Sequence, residues 1–228
     1  MVAGAFLVNP SPAASRIIAV CGVDGSGKTT LTDWLKEELR ARGHAPGFVW
    51  SRFNNYLSKP FLAITRMTGH NVYRIHEGIR MGFHEFERLP LLLRYLFVGL
   101  QAVDVNIAAL FKIRLPSRHV PVTICERGPW DTLVDVAADT ALDALAKSSM
   151  FRLFCGQVLQ GADVVLVIRD AGLIEASRPE LRFDGKLRRR QHLYLRLADI
   201  GGWKILDNNG DLNDTKRAFS AWLTERGY

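Results

Sequence analysis

Cysteine is scarce in this chain of 228 residues, and its few cysteines limit the kinds of site that the protein can hold. Cys21, Cys125 and Cys155 make an odd set, and no two of them have the spacing of a paired metal site. Two of the three lie in apolar runs that are typical of buried strands. We therefore expect all three to be reduced core residues of a cytoplasmic protein.

Signals for export or for crossing a membrane are also missing. The first fifteen residues lack the basic start and the long apolar centre of an export signal, so we expect residues 1–15 to form a flexible arm. The most apolar later stretch covers residues 89–111. Four polar residues interrupt it: Arg94, Gln101, Asp104 and Asn106. A bilayer-spanning helix would rarely carry them together, which favours a buried helix and no membrane span.

Basic residues outnumber acidic ones, and the formal net charge is +7. This charge favours anionic partners without choosing among nucleotides, nucleic acids and lipid headgroups. Basic clusters at residues 114–119 and 186–190 carry part of it, and solvated helix faces would also explain them. The chain has no internal repeat, no Asn-Lys-x-Asp guanine signature and no paired aromatic and basic stripe. We therefore expect no nucleic-acid partner.

Short β-branched apolar runs alternate with long segments of helical spacing. This pattern predicts a single α/β domain over residues 1–228, with a five-stranded parallel sheet covered by helices on both faces. The predicted strands are residues 17–21, 47–50, 120–125, 164–168 and 203–206. The predicted helices are one through Leu31, Leu35 and Leu39 and three at residues 132–149, 186–199 and 212–226. Residues 54–116 are expected to form a mostly helical insertion, either a cap over a substrate pocket or a purely structural addition.

The strongest motif directly follows the first predicted strand and opens the first predicted helix. Its sequence, GVDGSGKT at residues 22–29, matches the P-loop pattern G-x-x-x-x-G-K-[ST] at every fixed position. The glycines allow close approach to phosphate oxygens, Lys28 can reach the β and γ phosphates, and Thr29 can ligate Mg²⁺. The motif predicts ATP and Mg²⁺ as cofactors. The predicted cofactor-binding residues are Gly22, Asp24, Gly25, Ser26, Gly27, Lys28, Thr29 and Thr30.

A carboxylate and an arginine follow the third predicted strand. Glu126 at a strand end beside the P-loop could hold Mg²⁺ with Thr29, and Arg127 could clamp an acceptor phosphate through two hydrogen bonds. A surface ion pair would also explain this dipeptide.

The loop GVDGSGKTT, the Glu126–Arg127 pair and the segment SRPELRFD at residues 177–184 together resemble the thymidylate kinase family of nucleoside monophosphate kinases. The resemblance covers about residues 17–50 and 120–223. It implies that Asp24 approaches the sugar hydroxyl of the acceptor nucleotide and that residues 177–190 form a lid. Within that lid, Arg178 and Arg182 are expected to act on the transferring phosphoryl group.

The acceptor side of the site matches the family less closely. Arg52 occupies the position of an arginine near the acceptor phosphate, although the family's Glu-Pro-Gly does not follow it. Phe53 or Trp50 could stack on a base or belong to the core. Asp131 and two later acids, Asp135 and Asp139, stand where the family favours small, aromatic or amide side chains. The expected substrate-binding residues are Asp24, Arg52, Phe53, Arg127 and Asp131.

These features predict an ATP- and Mg²⁺-dependent phosphotransferase whose small-molecule phosphate acceptor is a nucleoside monophosphate such as dTMP. A kinase for a hydroxyl of a nucleoside, sugar or other metabolite is the alternative. A nucleotide-dependent switch or nucleic-acid-binding ATPase is the alternative of another class. The resemblance also implies a homodimer formed through helices that flank the sheet.

Overall fold

The computed structural model describes residues 16–52, 54–76, 78–156 and 162–228. The predicted arm, 1–15, and Phe53 lie outside the described residues.

Five of the described strands form one sheet in which every neighbouring pair is parallel, in the order β2-β5-β1-β6-β7. The strands are β1 Arg16–Cys21, β2 Pro46–Trp50, β3 Asn71–His76, β4 Ile79–His84, β5 Val122–Glu126, β6 Asp163–Ile168 and β7 Lys204–Asp207. The predicted α/β fold is confirmed, and each of the five predicted strands lies within two residues of its observed bounds. β1 is central, so the loop that follows it opens at the middle of the sheet's carboxyl edge.

Helices cover both faces of this sheet. They are α1 Lys28–Ala41, α2 Lys59–Met67, α3 Leu91–Ala109, α4 Leu115–Ser117, α5 Pro129–Thr140, α6 Ser148–Phe151, α7 Ala171–Ser177, α8 Leu187–Gly201 and α9 Leu212–Glu225. A π-helical turn, Leu110–Arg114, joins α3 to α4. The predicted helix at 132–149 is shorter than expected, because Ala141 adopts a left-handed conformation with φ 55° and ends α5.

The inserted region contains a β-hairpin, so the expectation of a mostly helical insertion is wrong for residues 71–84. β3 and β4 pair antiparallel from Asn71 opposite His84. Gly78 turns the chain between them with φ 81°. The sequence VYRI at residues 72–75 contains the β-branched and aromatic residues that favour strands.

The two faces of β1 pack against different helices. Ile18 and Val20 belong to a buried cluster that includes Leu35 of α1 and Phe219 of α9. Ala19 belongs to a second cluster on the opposite face, which includes residues of α3, α5 and α8. The three cysteines are buried and free, as predicted. Because successive side chains of β1 point to opposite faces, the strand is packed on both sides. This packing holds the P-loop at the end of β1 in place.

α3, which lies within the stretch 89–111 where a buried helix is expected, is buried along one face. Phe97, Val105 and Ala108 are buried, whereas Leu92 and Leu96 are exposed. Within the part of the chain that the structure describes, Leu91–Ser117 is the one helical stretch long and apolar enough to cross a membrane. Half of its most apolar window is buried inside the protein, so by itself this stretch is weak evidence for a membrane span.

Candidate active site

The P-loop is pressed against the ends of two neighbouring strands. Gly22 and Gly27 have φ of 138° and 95°, which L side chains rarely adopt. A Cβ atom on Gly27 would lie 2.3 Å from Nδ2 of Asn208, just after β7, and one on Gly22 would lie 2.4 Å from the Val167 carbonyl oxygen. Asn208 also donates a hydrogen bond to the Ser26 carbonyl at 2.8 Å. The glycines are therefore required by both conformation and space.

Lys28 is held inside the loop. Its side chain is buried, and its Nζ donates to the Val23 carbonyl at 2.5 Å. Burial, followed by repulsion from Arg127, lowers the pKa of Lys28 to about 8. An anionic group entering the loop would favour the charged form of this lysine.

Thr29 and Glu126 meet across the loop. The Thr29 hydroxyl donates to Oε1 of Glu126 at 2.8 Å. Both are oxygen ligands of the kind that Mg²⁺ prefers, and a metal between them would complete its shell with phosphate oxygens and water. Among the described residues no group of three or more His, Cys, Asp or Glu side chains could hold a metal ion. The donor set therefore fits a magnesium ion that arrives with a nucleotide.

Arg127 is fixed in an uncommon backbone conformation at the end of β5. Its φ is 72°, and its backbone N–H donates to the Val20 carbonyl at 3.1 Å. Its guanidinium donates to the Gly22 carbonyl at 3.1 Å, to Asp131 at 3.3 Å and to Asp24. Arg127 thus ties β5 to the P-loop.

Asp131 accepts a hydrogen bond from the Arg127 guanidinium and holds that side chain in place. It is fully buried and accepts hydrogen bonds from the Gly128 N–H at 2.7 Å and from the Tyr194 hydroxyl at 2.5 Å. Burial raises the pKa of Asp131 despite the neighbouring Arg127. Its predicted role as a substrate-contacting residue does not fit this position. Asp131 positions Arg127 instead.

Asp24 lies between two arginines. Arg52 donates to its Oδ2 at 3.0 Å, and the other end of the Arg52 guanidinium reaches Asp135 at 3.4 Å. Burial alone would raise the pKa of Asp24, but Arg127, Arg52 and Lys28 hold it well below its usual value. Asp24 therefore stays ionised throughout the neutral range.

A first cavity, which we call the donor cavity, opens over the P-loop. Its lining consists of Asp24, Gly25, Gly27, Lys28, Thr29, Thr30, Trp50, Arg52, Glu126, Arg127, Arg169, Ser177 and Arg178. The cavity brings together most of the residues predicted from the motif, while Gly22 and Ser26 are buried and are not among its lining residues. Five cationic side chains face two carboxylates in this lining, so the cavity suits a polyanion.

Trp50 and the predicted lid complete the donor cavity. Trp50 is half-exposed at its edge rather than part of the core. Arg178 lines the cavity and pairs with Glu180 at 3.1 Å. Arg182 is exposed and is not among the lining residues, so the structure brings only one of the two predicted lid arginines to the loop. Nothing in the sequence segment distinguishes the two arginines, because their orientation depends on the turn Pro179–Phe183.

A second cavity, which we call the acceptor-side cavity, lies beyond Asp24 and Arg52. It consists of two adjoining hollows that share Arg52, Gly82, His84, Asp139 and Arg190. β4 and α3 of the inserted region contribute Gly82, His84, Phe97 and Gln101, so the insertion does wall a pocket. Its charged lining residues are Asp24, Glu85, Glu87, Asp135, Asp139, Asp184, Arg52, Arg74, Lys186 and Arg190.

Arg190 is the centre of an ion network in the acceptor-side cavity. It lies 3.0 Å from Asp135, 3.2 Å from Asp139 and 2.7 Å from Asp184. Lys186 also reaches Asp139, at 3.4 Å. In sequence, Asp135 and Asp139 stand out only as departures from the family pattern, and Asp184 only as part of the lid-like segment 177–184. The spacing of four residues between Asp135 and Asp139 along α5 is the signal that could have placed them on one face.

The sheet order, the loop between β1 and α1, and the cavity over it define a P-loop kinase-like α/β fold. Among solved structures, the chain is similar to a thymidylate kinase from Ehrlichia chaffeensis, with a TM-score of 0.51 and 16% sequence identity over 92% of this chain and 98% of that one. No protein-family model and no curated protein sequence matches the chain. At this identity the likeness shows the fold alone.

Proposed function

We propose that this protein transfers the γ-phosphoryl group of ATP, bound with Mg²⁺ in the donor cavity, to a small molecule in the acceptor-side cavity. The observation that carries the proposal is that the two cavities meet at Asp24 and Arg52, which line both. A γ-phosphoryl group held over the P-loop at that border would lie directly beside an acceptor bound in the acceptor-side cavity. It could then be transferred without passing through solvent.

Each residue of the donor cavity has a role that its position supports. Lys28 would bind the phosphates that undergo transfer, and Thr29 and Glu126 would hold Mg²⁺, which neutralises charge on the phosphates. Arg178 would lie on the transferring group. Phosphoryl transfer needs mainly positioning and charge stabilisation, and these residues offer both.

A nucleoside monophosphate, dTMP-like, is the first candidate acceptor. Arg52 stands at the border where an acceptor phosphate would lie, Arg127 lines the donor cavity beside it, and a solved structure with a similar fold is a thymidylate kinase. An acceptor phosphate is already ionised and needs no strong base. Asp24 is a weak base because its pKa is low, so the border suits such an acceptor.

A hydroxyl acceptor is the second candidate, and the charge of the acceptor-side cavity favours it. Six carboxylates and four cationic side chains line this cavity. A dianionic nucleotide would meet this carboxylate excess, whereas a neutral sugar or nucleoside would donate hydrogen bonds to it. Asp24, at the border, would then accept a hydrogen bond from the hydroxyl and orient it toward the phosphoryl group.

Incubation with MgATP and a panel of nucleotides, nucleosides and sugars, followed by measurement of ADP and of the phosphorylated product, tests the proposal. We expect acceptor-dependent ADP formation with one class of acceptor, and dTMP or dUMP as the first to respond. Consumption of a hydroxyl compound while dTMP and dUMP stay inert would select the second candidate. Hydrolysis of ATP stimulated by nucleic acid, with no small-molecule product, would contradict both.

A further inference from the structure

Arg169 is a donor-cavity residue that the sequence motifs do not identify. It directly follows β6 and lines the cavity beside Ser177 and Arg178. Its backbone is fixed on both sides: Gln191 donates to its carbonyl at 2.7 Å, and the N–H of the next residue, Asp170, donates to Asn209 at 2.6 Å. The backbone of Arg169 is therefore held in place at the carboxyl edge of the sheet.

The other cationic side chains of the donor cavity already have acceptors. Lys28 donates to Val23, Arg52 to Asp24, and Arg178 pairs with Glu180. Arg127 is engaged as well, since it donates to Asp24 and Asp131. Each of these contacts uses donors that would otherwise be free to bind a ligand.

Arg169 differs from all of them because its whole guanidinium lacks an acceptor among the described residues. Its Nε is shut off from solvent and has no hydrogen-bond partner. Across residues 16–52, 54–76, 78–156 and 162–228, no acceptor is found for its guanidinium. Buried donors in folded proteins are nearly always satisfied, and leaving one unsatisfied is costly. A phosphate group that enters the donor cavity, which Arg169 lines, would supply acceptors for this guanidinium.

We infer that Arg169 donates hydrogen bonds to the phosphate oxygens of the ATP bound in the donor cavity, a role that rests on the proposed function. The planar guanidinium matches a phosphate through two parallel hydrogen bonds. Arg169 can make them without breaking an ion pair, whereas Arg127 and Arg52 would have to release Asp24. Arg169 is thus a phosphate-binding residue in addition to Lys28.

Calorimetric titration of the full chain with MgATP tests this role through Arg169→Gln, which keeps a polar side chain but removes the guanidinium and its charge. Loss of a charge-assisted, bidentate contact should raise the dissociation constant on the order of tenfold or more. Arg169→Lys keeps the charge but loses the planar guanidinium, so its dissociation constant should lie between those of Arg169→Gln and the wild type. Arg196→Gln, an exposed arginine on α8 outside the cavity lining, is the matched control and should bind like the wild type.

The outcomes separate this inference from the function on which it rests. If the wild type binds MgATP, Lys28→Ala does not, and Arg169→Gln binds as tightly as Arg196→Gln, Arg169 has no role in phosphate binding. If the wild type itself binds no MgATP, the proposed function fails first. If Arg169→Gln does not fold, the Arg169→Lys variant takes its place. An affinity of Arg169→Lys for MgATP equal to that of the wild type would overturn bidentate binding by Arg169. A reduced affinity with an unchanged unfolding midpoint would support bidentate binding.

Discussion

At the scale of single residues, the site is built from charges that the fold holds at some cost. Lys28 keeps an ammonium group inside the protein, where it donates a hydrogen bond to the Val23 carbonyl. Such a group is retained for binding rather than for stability, because a buried charge without an ionic partner is unfavourable. Two predictions about Lys28 follow from this.

The affinity for MgATP should depend on pH through Lys28. Its pKa of about 8 in the free protein means that the ammonium is present below that pH and lost above it. Phosphate binds the charged form, so the dissociation constant should be flat below the pKa and rise up to about tenfold per pH unit above it. Titrations across the neutral and alkaline range measure this. The same alkaline weakening in Lys28→Ala would show that another group is responsible.

Lys28→Ala should abolish phosphoryl transfer and leave the fold intact. Folding lowers the pKa of this lysine from its usual value of 10.5 to about 8, so the folded protein disfavours the ammonium, and its removal relieves that penalty at neutral pH. We therefore expect the thermal unfolding midpoint of the variant to equal or exceed that of the wild type. A folded variant with unchanged turnover would exclude the proposed donor site.

At the scale of elements, three parts of the chain meet through shared ion pairs. Arg190 of α8 joins α5 to the turn before α8 that carries Asp184, and Lys186 joins this turn to α5 at Asp139 and to Glu87. Residues 177–190, which the sequence predicts as a lid, thus form one wall around the acceptor-side cavity with α5 and the inserted region. Movement of this segment would change the partners of the cavity's carboxylates.

Arg190→Gln should lower the free energy of unfolding by roughly 3 kcal/mol, because it leaves Asp135, Asp139 and Asp184 without their common cation. The neighbouring Arg189→Gln is the matched control. Arg189 pairs with Asp143 at a half-exposed site, so its loss should cost less than about 1 kcal/mol. Urea denaturation of both variants compares them, and equal losses would contradict the central role of Arg190.

The exposed face of α3 predicts a homodimer, as the family resemblance implied. Leu92, Leu96, Val103 and Ile107 are 79%, 49%, 46% and 36% exposed, and their spacing places them along one side of the helix. Analytical ultracentrifugation should find a dimer that Leu92→Lys with Leu96→Lys converts to a monomer. Leu195→Lys, at a similarly exposed leucine of α8, should stay dimeric. A monomeric wild type at every concentration would contradict the prediction.

At the scale of the whole molecule, the sequence predicts the features that are local or that recur in every parallel sheet. The P-loop is one contiguous motif, and Glu126 lies beside Thr29 because the carboxyl ends of neighbouring strands meet at one edge. The hairpin at residues 71–84 was missed because two short strands in a long insertion give a weak periodic signal. Arg169 was missed because its orientation depends on how β6, α7 and α8 pack, which no local pattern encodes.

The central claim is that the donor cavity presents the γ-phosphoryl group of ATP to the acceptor-side cavity across Asp24 and Arg52. A crystal structure with Mg²⁺ and a non-hydrolysable ATP analogue tests it most directly. The account predicts phosphates in the P-loop beside Lys28, a metal ion at Thr29 and Glu126, and the γ-phosphate facing the border of the two cavities. A nucleotide bound elsewhere, or a γ-phosphate turned away from Asp24 and Arg52, would contradict it.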